Sequence, residues 1–125
     1  MSDQQEKPTG EIQNVKYVDI EEISYNQDVL LFLRKKLDAF AIECLRKVMH
    51  HHNNGGLNKT KIDNYNDHRK RYDAAFLILE SQGFIEWQQD GISKPYFLTI
   101  RGRQLIHMLS AEKAQNKSLE MKNNI

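Results

Sequence analysis

Several features that define other protein classes are scarce or missing in this sequence. Cysteine occurs once, as Cys44, so the chain has no internal disulfide framework and suits a reducing compartment. No apolar run approaches the roughly 18 residues that a membrane-spanning helix needs. The polar residues 1–14 contain no segment typical of a secretory signal. We therefore expect a cytoplasmic protein without a membrane partner.

Motifs for catalysis and for cofactors are missing as well. The sequence contains no nucleophile elbow, no paired CxxC and no HExxH, and the glycines at 55–56 lack the spacing of a phosphate-binding loop. His50, His51 and His52 are adjacent, so they point in different directions on a helix, and no Cys or His recurs three or four positions away. We expect no enzyme activity, no metal and no cofactor.

Charge of one sign does not dominate, because the formal net charge is only +1. Its distribution is uneven. Residues 1–33 carry seven acidic and two basic side chains, whereas residues 34–74 carry ten basic and five acidic ones. A basic region favours a surface for nucleic acid, although such a cluster is also typical of an ordinary solvated face.

The length of 125 residues fits a single domain. Residues 1–22 are polar and acidic, and we predict that they form a flexible N-terminal segment, with 15–20 as a candidate strand. Residues 23–115 are predicted to form the folded domain, and residues 116–125 a flexible tail.

Apolar residues between positions 26 and 50 recur every three or four positions, which predicts one long amphipathic helix. Asn26 or Ser24 would cap its start. About 25 residues at 1.5 Å each span roughly 38 Å, more than one small core covers, so the long first helix favours a homodimer. Its apolar stripe comprises Leu30, Leu33, Leu37, Phe40, Ala41, Cys44, Leu45 and Val48.

A short polar segment follows the first helix. Residues 57–67 predict a brief second helix that begins near Asn58 or Thr60, and then a tight turn at 64–66. The expected buried anchors of this segment are Leu57, Ile62 and Tyr65.

A third helix is basic in its first half. Asn66 or Asp67 would cap it, and Gly83 would end it. Its predicted inward residues are Tyr72, Ala75, Phe76 and Leu79. Lys70 and Ala74 fall on the opposite side. A small and basic exposed face suits insertion into a DNA major groove, although an ordinary solvated face would look the same.

A hairpin and a last helix complete the pattern. Residues 84–89 alternate in polarity, the Asp-Gly pair at 90–91 is a strong turn signal, and residues 96–100 return as a second strand. Thr99 would cap a last helix over residues 101–114.

This order of elements resembles the winged helix-turn-helix family of DNA-binding proteins, in particular the small transcription regulators of archaea and bacteria. The similarity rests on Gly-Phe-Ile at 83–85, on Tyr-Phe-Leu-Thr-Ile-Arg-Gly-Arg at 96–103 and on Gly-Gly-Leu-Asn-Lys-Thr-Lys-Ile at 55–62. It covers about residues 26–115. It implies an α+β, mainly α fold with a three-helix core, a two-stranded wing, a long first helix and a C-terminal helix.

The resemblance also implies contacts with duplex DNA. Residues 66–73 would face the major groove, and residues 89–94 would form the wing. Asp73 would repel phosphate unless it accepts a hydrogen bond from a cytosine amino group. Asn66, Arg69 and Lys70 are expected at base edges. The full set of predicted DNA-binding residues is Lys59, Thr60, Lys61, Asn66, His68, Arg69, Lys70, Arg71 and Lys94.

Two functions stay open from the sequence. The first is a homodimeric, nucleoid-associated transcription regulator that binds double-stranded DNA and dimerises through the long first helix, the C-terminal helix or both. The second is a winged-helix module for protein–protein interaction without DNA binding. Affinity for DNA that falls steeply with salt would support the first, and salt-insensitive binding of a partner the second.

Overall fold

The computed structural model describes residues 23–123 and contains four α-helices and one two-stranded antiparallel sheet in that part of the chain. The helices are α1 (Gln27–Arg34), α2 (Ala39–His51), α3 (Arg69–Ser81) and α4 (Ile100–Asn123), and the strands are β1 (Ile85–Trp87) and β2 (Tyr96–Leu98). The prediction of a mainly helical α+β chain is confirmed. The candidate strand at 15–20 lies outside the described residues. Within residues 23–123, no helix is long and apolar enough to cross a membrane.

The predicted long first helix is wrong, because the chain breaks between α1 and α2. The N–H groups of Lys36 and Leu37 donate to carbonyls only three residues earlier, which tightens the end of α1. Asp38 then caps α2 by accepting a hydrogen bond of 2.8 Å from the N–H of Ala41. Leu37 is buried at the break, so the apolar stripe continues while the helix does not. The continuous helical surface that favoured a homodimer is therefore not formed.

The hydrophobic core lies between α2, α3, the hairpin and the first half of α4. α3 buries the four residues predicted for its inward face, namely Tyr72, Ala75, Phe76 and Leu79. Cys44 of α2 is fully buried, and this burial raises the pKa of its thiol to about 11. The other fully buried large side chains are Leu45, Val48, Phe84, Ile85 and Leu105.

The predicted brief second helix is a single 3₁₀ turn that begins after Asn58, and two other 3₁₀ turns lie between α2 and α3. The turns are His52–Asn54, Lys59–Lys61 and Asn66–His68. Leu57 and Tyr65 are buried as predicted, while Ile62 is only half-buried. Asn64 adopts a left-handed backbone with φ of 62°. The segment is rich in Asn and Asp, whose side chains compete with helical hydrogen bonds, so a regular helix is disfavoured there.

The predicted hairpin and its Asp-Gly turn are confirmed. β1 pairs with β2 in antiparallel fashion, and the tip closes between Asp90 and Ser93, with φ of 63° at Gly91. The other edge of β2 also has a partner. The N–H of Leu57 donates to Tyr96 at 2.9 Å, and the N–H of Tyr96 donates to Leu57 at 2.8 Å. β2 therefore joins the hairpin to the segment that precedes the Lys59–Lys61 turn.

A buried junction connects the end of α3 to the start of α4. Thr99 accepts a hydrogen bond of 3.0 Å from the N–H of Gly102, which confirms the predicted cap. The Thr99 hydroxyl donates to the carbonyl of Gly83, and the buried guanidinium of Arg101 donates to the same carbonyl and to that of Ile23. Gly83 has φ of 83°, as predicted for the residue that ends α3.

α4 extends further than the predicted end at residue 114, because it runs to Asn123. Side chains at positions 113–121 are all exposed, so tertiary packing does not hold this part. Its composition explains the extension, since Lys, Ala, Gln, Leu, Glu and Met are good helix formers and no Gly or Pro interrupts them.

Candidate nucleic-acid interface

Three elements that carry predicted DNA-binding residues lie side by side. The Lys59 ammonium is 3.0 Å from the carboxylate of Asp73, which links the Lys59–Lys61 turn to α3. On its other side, this turn faces the hairpin across an open cleft of about 660 Å³, which Trp87 and Lys94 also line. We call the surface formed by Lys59, Thr60, Lys61, Arg69, Lys70 and Lys94 the basic face.

Most predicted contact residues are accessible. Thr60, Lys61, Asn66, His68, Arg69, Lys70, Arg71 and Lys94 are exposed, and Lys59 is half-buried. The prediction that Asn66 or Asp67 caps α3 is wrong, because both lie near the start of α3 in the Asn66–His68 turn and no side chain caps the helix.

Arg71 occupies a different flank of α3 from Asp73. Its guanidinium carbon lies 4.0 Å from the ring centroid of Phe40 in α2, a cation–π contact. This flank also borders a groove lined by Lys36 and Ala74. Arg71 is therefore available at the α2 side of α3, separate from the Lys59–Lys61 turn and the hairpin.

Asp73 is a partnered carboxylate rather than a free negative charge. The Tyr65 hydroxyl donates to it at 2.7 Å, and Lys59 forms the ion pair described above. The hydrogen bond from Tyr65, followed by the bond and charge of Lys59, lowers the pKa of Asp73. The same hydrogen bond is the main cause that raises the pKa of Tyr65. The predicted repulsion between Asp73 and phosphate is therefore offset within the molecule.

Further hydrogen bonds fix the orientation of α3. The Tyr72 hydroxyl donates to the side-chain oxygen of Asn64 at 3.0 Å, which holds the preceding turn against the helix. At the other end of α3, the Tyr96 hydroxyl donates to Glu80 at 3.3 Å. Burial, and then the charge of Glu80, raises the pKa of Tyr96 to about 12. The turn, α3 and β2 are thus held in one arrangement.

Trp87 is a residue of the cleft that the sequence did not single out. It is 40% exposed at the end of β1, and the Lys94 ammonium lies 4.8 Å from its ring centroid. The sequence offered one signal, because Trp87 is followed by polar residues and a turn, where a strand leaves the core. Alternation of polarity alone placed it only on a strand face.

His52 connects the end of α2 to β2 and α4. Its Nδ1 accepts a hydrogen bond of 3.1 Å from the N–H of Leu98, and its Nε2 lies 2.8 Å from the Arg103 guanidinium. Burial, and then the positive charge of Arg103, lowers the pKa of His52. Within the described part of the chain, no group of three or more His, Cys, Asp or Glu residues is arranged to hold a metal ion.

Comparisons of the whole chain with protein-family models, with curated proteins and with solved structures found no match.

Proposed function

We propose that this chain is a winged helix-turn-helix protein that binds duplex DNA, with α3 in the major groove and the hairpin as a short wing. The observation that carries the proposal is the convergence of the start of α3, the Lys59–Lys61 turn and the hairpin on one exposed basic face. The order of the elements along the chain supports the same fold. A regulator of transcription in the cytoplasm, associated with the nucleoid, is the role that such a protein would have.

The exposed side of α3 supplies the proposed groove contacts. Lys70 and Ala74 are exposed near its start, and Leu77 is 64% exposed one turn further along. A small residue permits close approach of the helix to the bases, and apolar side chains can contact thymine methyl groups. Lys70 would reach a guanine edge or a phosphate, as would Asn66 and Arg69 from the first turn and the segment before it.

The remaining cations would contact the sugar-phosphate backbone. Lys61 and Lys94 are exposed on the two sides of the cleft, and Thr60 adds a hydroxyl donor beside Lys61. Lys59 would contribute after it leaves Asp73. Arg71 and the exposed His68 would bind phosphates along α3. Contacts of this kind position a protein on DNA without reading sequence.

A homodimer is part of the proposal, and two exposed apolar surfaces support it in place of a long first helix. α1 exposes Val29, Leu31 and Phe32, the last at 59%, and α4 exposes Leu119 and Met121 near its end. We infer that one or both of these surfaces form the dimer contact. Sedimentation that gives a monomer at high micromolar concentration would refute this part of the proposal.

The same exposed residues of α1 favour a second candidate function, a winged-helix module that binds a partner protein and no DNA. An apolar helix face is a common docking surface for proteins. Binding through Val29, Leu31 and Phe32 would depend weakly on salt, because apolar contacts are not screened. DNA binding by the basic face would depend on it strongly.

The test is binding to a labelled random-sequence duplex, measured by fluorescence anisotropy at several salt concentrations. We expect micromolar affinity at low salt that falls steeply as salt rises. The double variant Lys70→Ala, Arg71→Ala should bind more weakly, with a salt slope lower by about one unit for each phosphate that is no longer bound. The double variant Lys113→Ala, Lys117→Ala removes the same charge from the exposed part of α4 and serves as the control. Absence of duplex binding at low salt would refute the proposal.

A further inference from the structure

The cleft between the Lys59–Lys61 turn and the hairpin has the composition of a nucleotide site. We propose that it binds an unpaired nucleotide of DNA, which extends the proposed duplex binding to junctions between double-stranded and single-stranded DNA. This inference rests on the proposed function. It adds a ligand class that the predicted groove and backbone contacts do not include.

The size and openness of the cleft admit such a ligand. Its volume of about 660 Å³ lies within the range of about 300–1,000 Å³ that is usual for small-molecule sites. One wall is the Lys59–Lys61 turn, and the other is the end of β1 with the hairpin tip. Both walls are anchored to the core, the first through Leu57 and the second through the pairing of β2.

Trp87 supplies a surface for stacking. The side chain is 40% exposed although it belongs to a strand, so part of its ring is available in the cleft. Bases stack on exposed aromatic rings in proteins that bind single strands, and this contact tolerates any base sequence. A base inside a duplex is already stacked on both neighbours, so the ring selects an unpaired one.

The cations of the cleft are placed for the phosphates of that nucleotide. Lys94 lies over the Trp87 ring, and a bound nucleotide would replace this cation–π contact. The base of the nucleotide would stack on the Trp87 ring, and its phosphate would form an ion pair with the Lys94 ammonium. Lys61 lines the opposite wall, with the side chains of Asn58 and Thr60 as hydrogen-bonding groups beside it. Aromatic and basic groups therefore face one space from both sides.

The experiment compares a blunt duplex of about 20 base pairs, roughly two helical turns, with the same duplex carrying a single-stranded extension of about six thymidines. Anisotropy gives the two affinities, and the emission of Trp87, the single tryptophan of the chain, reports on stacking. We expect the extension to raise affinity about tenfold and to quench the emission. Trp87→Ala should abolish the gain, measured as the ratio of the two affinities of the same variant, whereas Trp87→Phe should retain most of the gain. Gln88→Ala, which shortens an exposed side chain of the same hairpin that does not line the cleft, is the matched control.

The outcomes separate this inference from the proposed function. If the blunt duplex binds but the extension adds nothing, or if the gain survives in Trp87→Ala, the nucleotide site is refuted while duplex binding stands. If the blunt duplex does not bind at all, the proposed function is refuted. Should Trp87→Ala fail to fold, the inference is still tested by three measurements. These are the affinity gain of the natural chain, the quenching of its Trp87 emission and the affinity gain of Trp87→Phe. No gain and no quenching would then overturn the inference.

Discussion

Replacing Asp73 with asparagine tests whether this carboxylate holds Lys59 back from DNA. The substitution keeps the shape of the side chain, and the new amide oxygen can still accept the hydrogen bond from the buried Tyr65 hydroxyl. The negative charge is removed, and with it the ion pair of 3.0 Å to Lys59. The Lys59 ammonium then becomes free to contact a phosphate.

Stability and DNA affinity should move in opposite directions. The Lys59 and Asp73 side chains are 28% and 42% exposed, so solvent screens their ion pair and its removal should cost below about 1 kcal/mol of unfolding free energy. The freed ammonium should add one phosphate contact, which increases the salt slope by about 0.9 and the affinity roughly five- to tenfold at 0.1 M salt. A variant that is slightly less stable and yet binds more tightly is the expected result.

Urea unfolding and anisotropy titrations over a range of salt concentrations measure the two effects. Tyr65→Phe is the first control, because it removes a buried hydroxyl but no charge. It should lower stability by about 1 kcal/mol without raising the salt slope. Glu43→Gln is the second control, since it removes the same charge and an exposed ion pair of 3.7 Å to Arg46 in α2, away from the basic face.

If the salt slope of DNA binding is unchanged in Asp73→Asn, Lys59 does not reach a phosphate even without its ion pair to Asp73. An equal increase in Glu43→Gln would assign the effect to net charge alone. Weaker binding by Asp73→Asn would mean that the carboxylate itself contacts DNA, for example by accepting a hydrogen bond from a cytosine amino group. Each of these results would refute the reasoning.

Two predictions concern stability. In Gly102→Ala the new methyl group would collide with the Phe84 carbonyl, a backbone atom that cannot turn away. Overpacking of this kind costs about 1–3 kcal/mol, more than the roughly 0.5–1 kcal/mol that alanine gains over glycine in a helix. Urea unfolding should show a net loss, and net stabilisation would contradict the close approach. His52 has a folded-state pKa below its ordinary value of 6.5, so the unfolded chain binds a proton first as pH falls. Stability should therefore decrease below about pH 6.5 and level off once pH drops below the folded pKa. His52→Asn should flatten this part of the profile in urea unfolding at several pH values, and an unchanged profile would exclude His52 as the cause.

The course of the chain from α3 to α4 could be predicted because local signals there agree with each other. The inward face of α3, the glycine at its end, the Asp-Gly turn and the Thr99 cap each follow from short-range backbone and side-chain preferences. The break after α1 could not be predicted in the same way. Leu37 continues the helical spacing of apolar residues across the break, and no Gly or Pro occurs at the break to indicate it. The only local signal was Asp38, an N-cap residue inside an apparently regular helix.

In the candidate site, too, some features could be predicted from the sequence and others could not. Exposure of Lys61, Lys70 and Lys94 follows from their type and from helix and turn geometry, and all three side chains are exposed in the structure. The partners of Asp73 could not be predicted, since Lys59 and Tyr65 approach it only through the path of the turns before α3. Trp87 was missed because exposure at a strand end depends on where the sheet leaves the core, which the sequence does not state.

The double pairing of β2 determines which part of the hairpin is free to move. At its base, β2 is bonded to β1 on one edge and to Leu57 and His52 on the other, so displacing it would break main-chain hydrogen bonds on both sides. Its tip is closed by contacts within the hairpin itself, namely the hydrogen bonds between Asp90 and Ser93, the bonds from Gln88 and Gln89, and the contact of Lys94 with Trp87. Motion in this hairpin is therefore confined to the tip, which can adjust to a ligand while α3 keeps its orientation. Hydrogen exchange would report the two parts separately, as slowly and rapidly exchanging amides within a single strand pair.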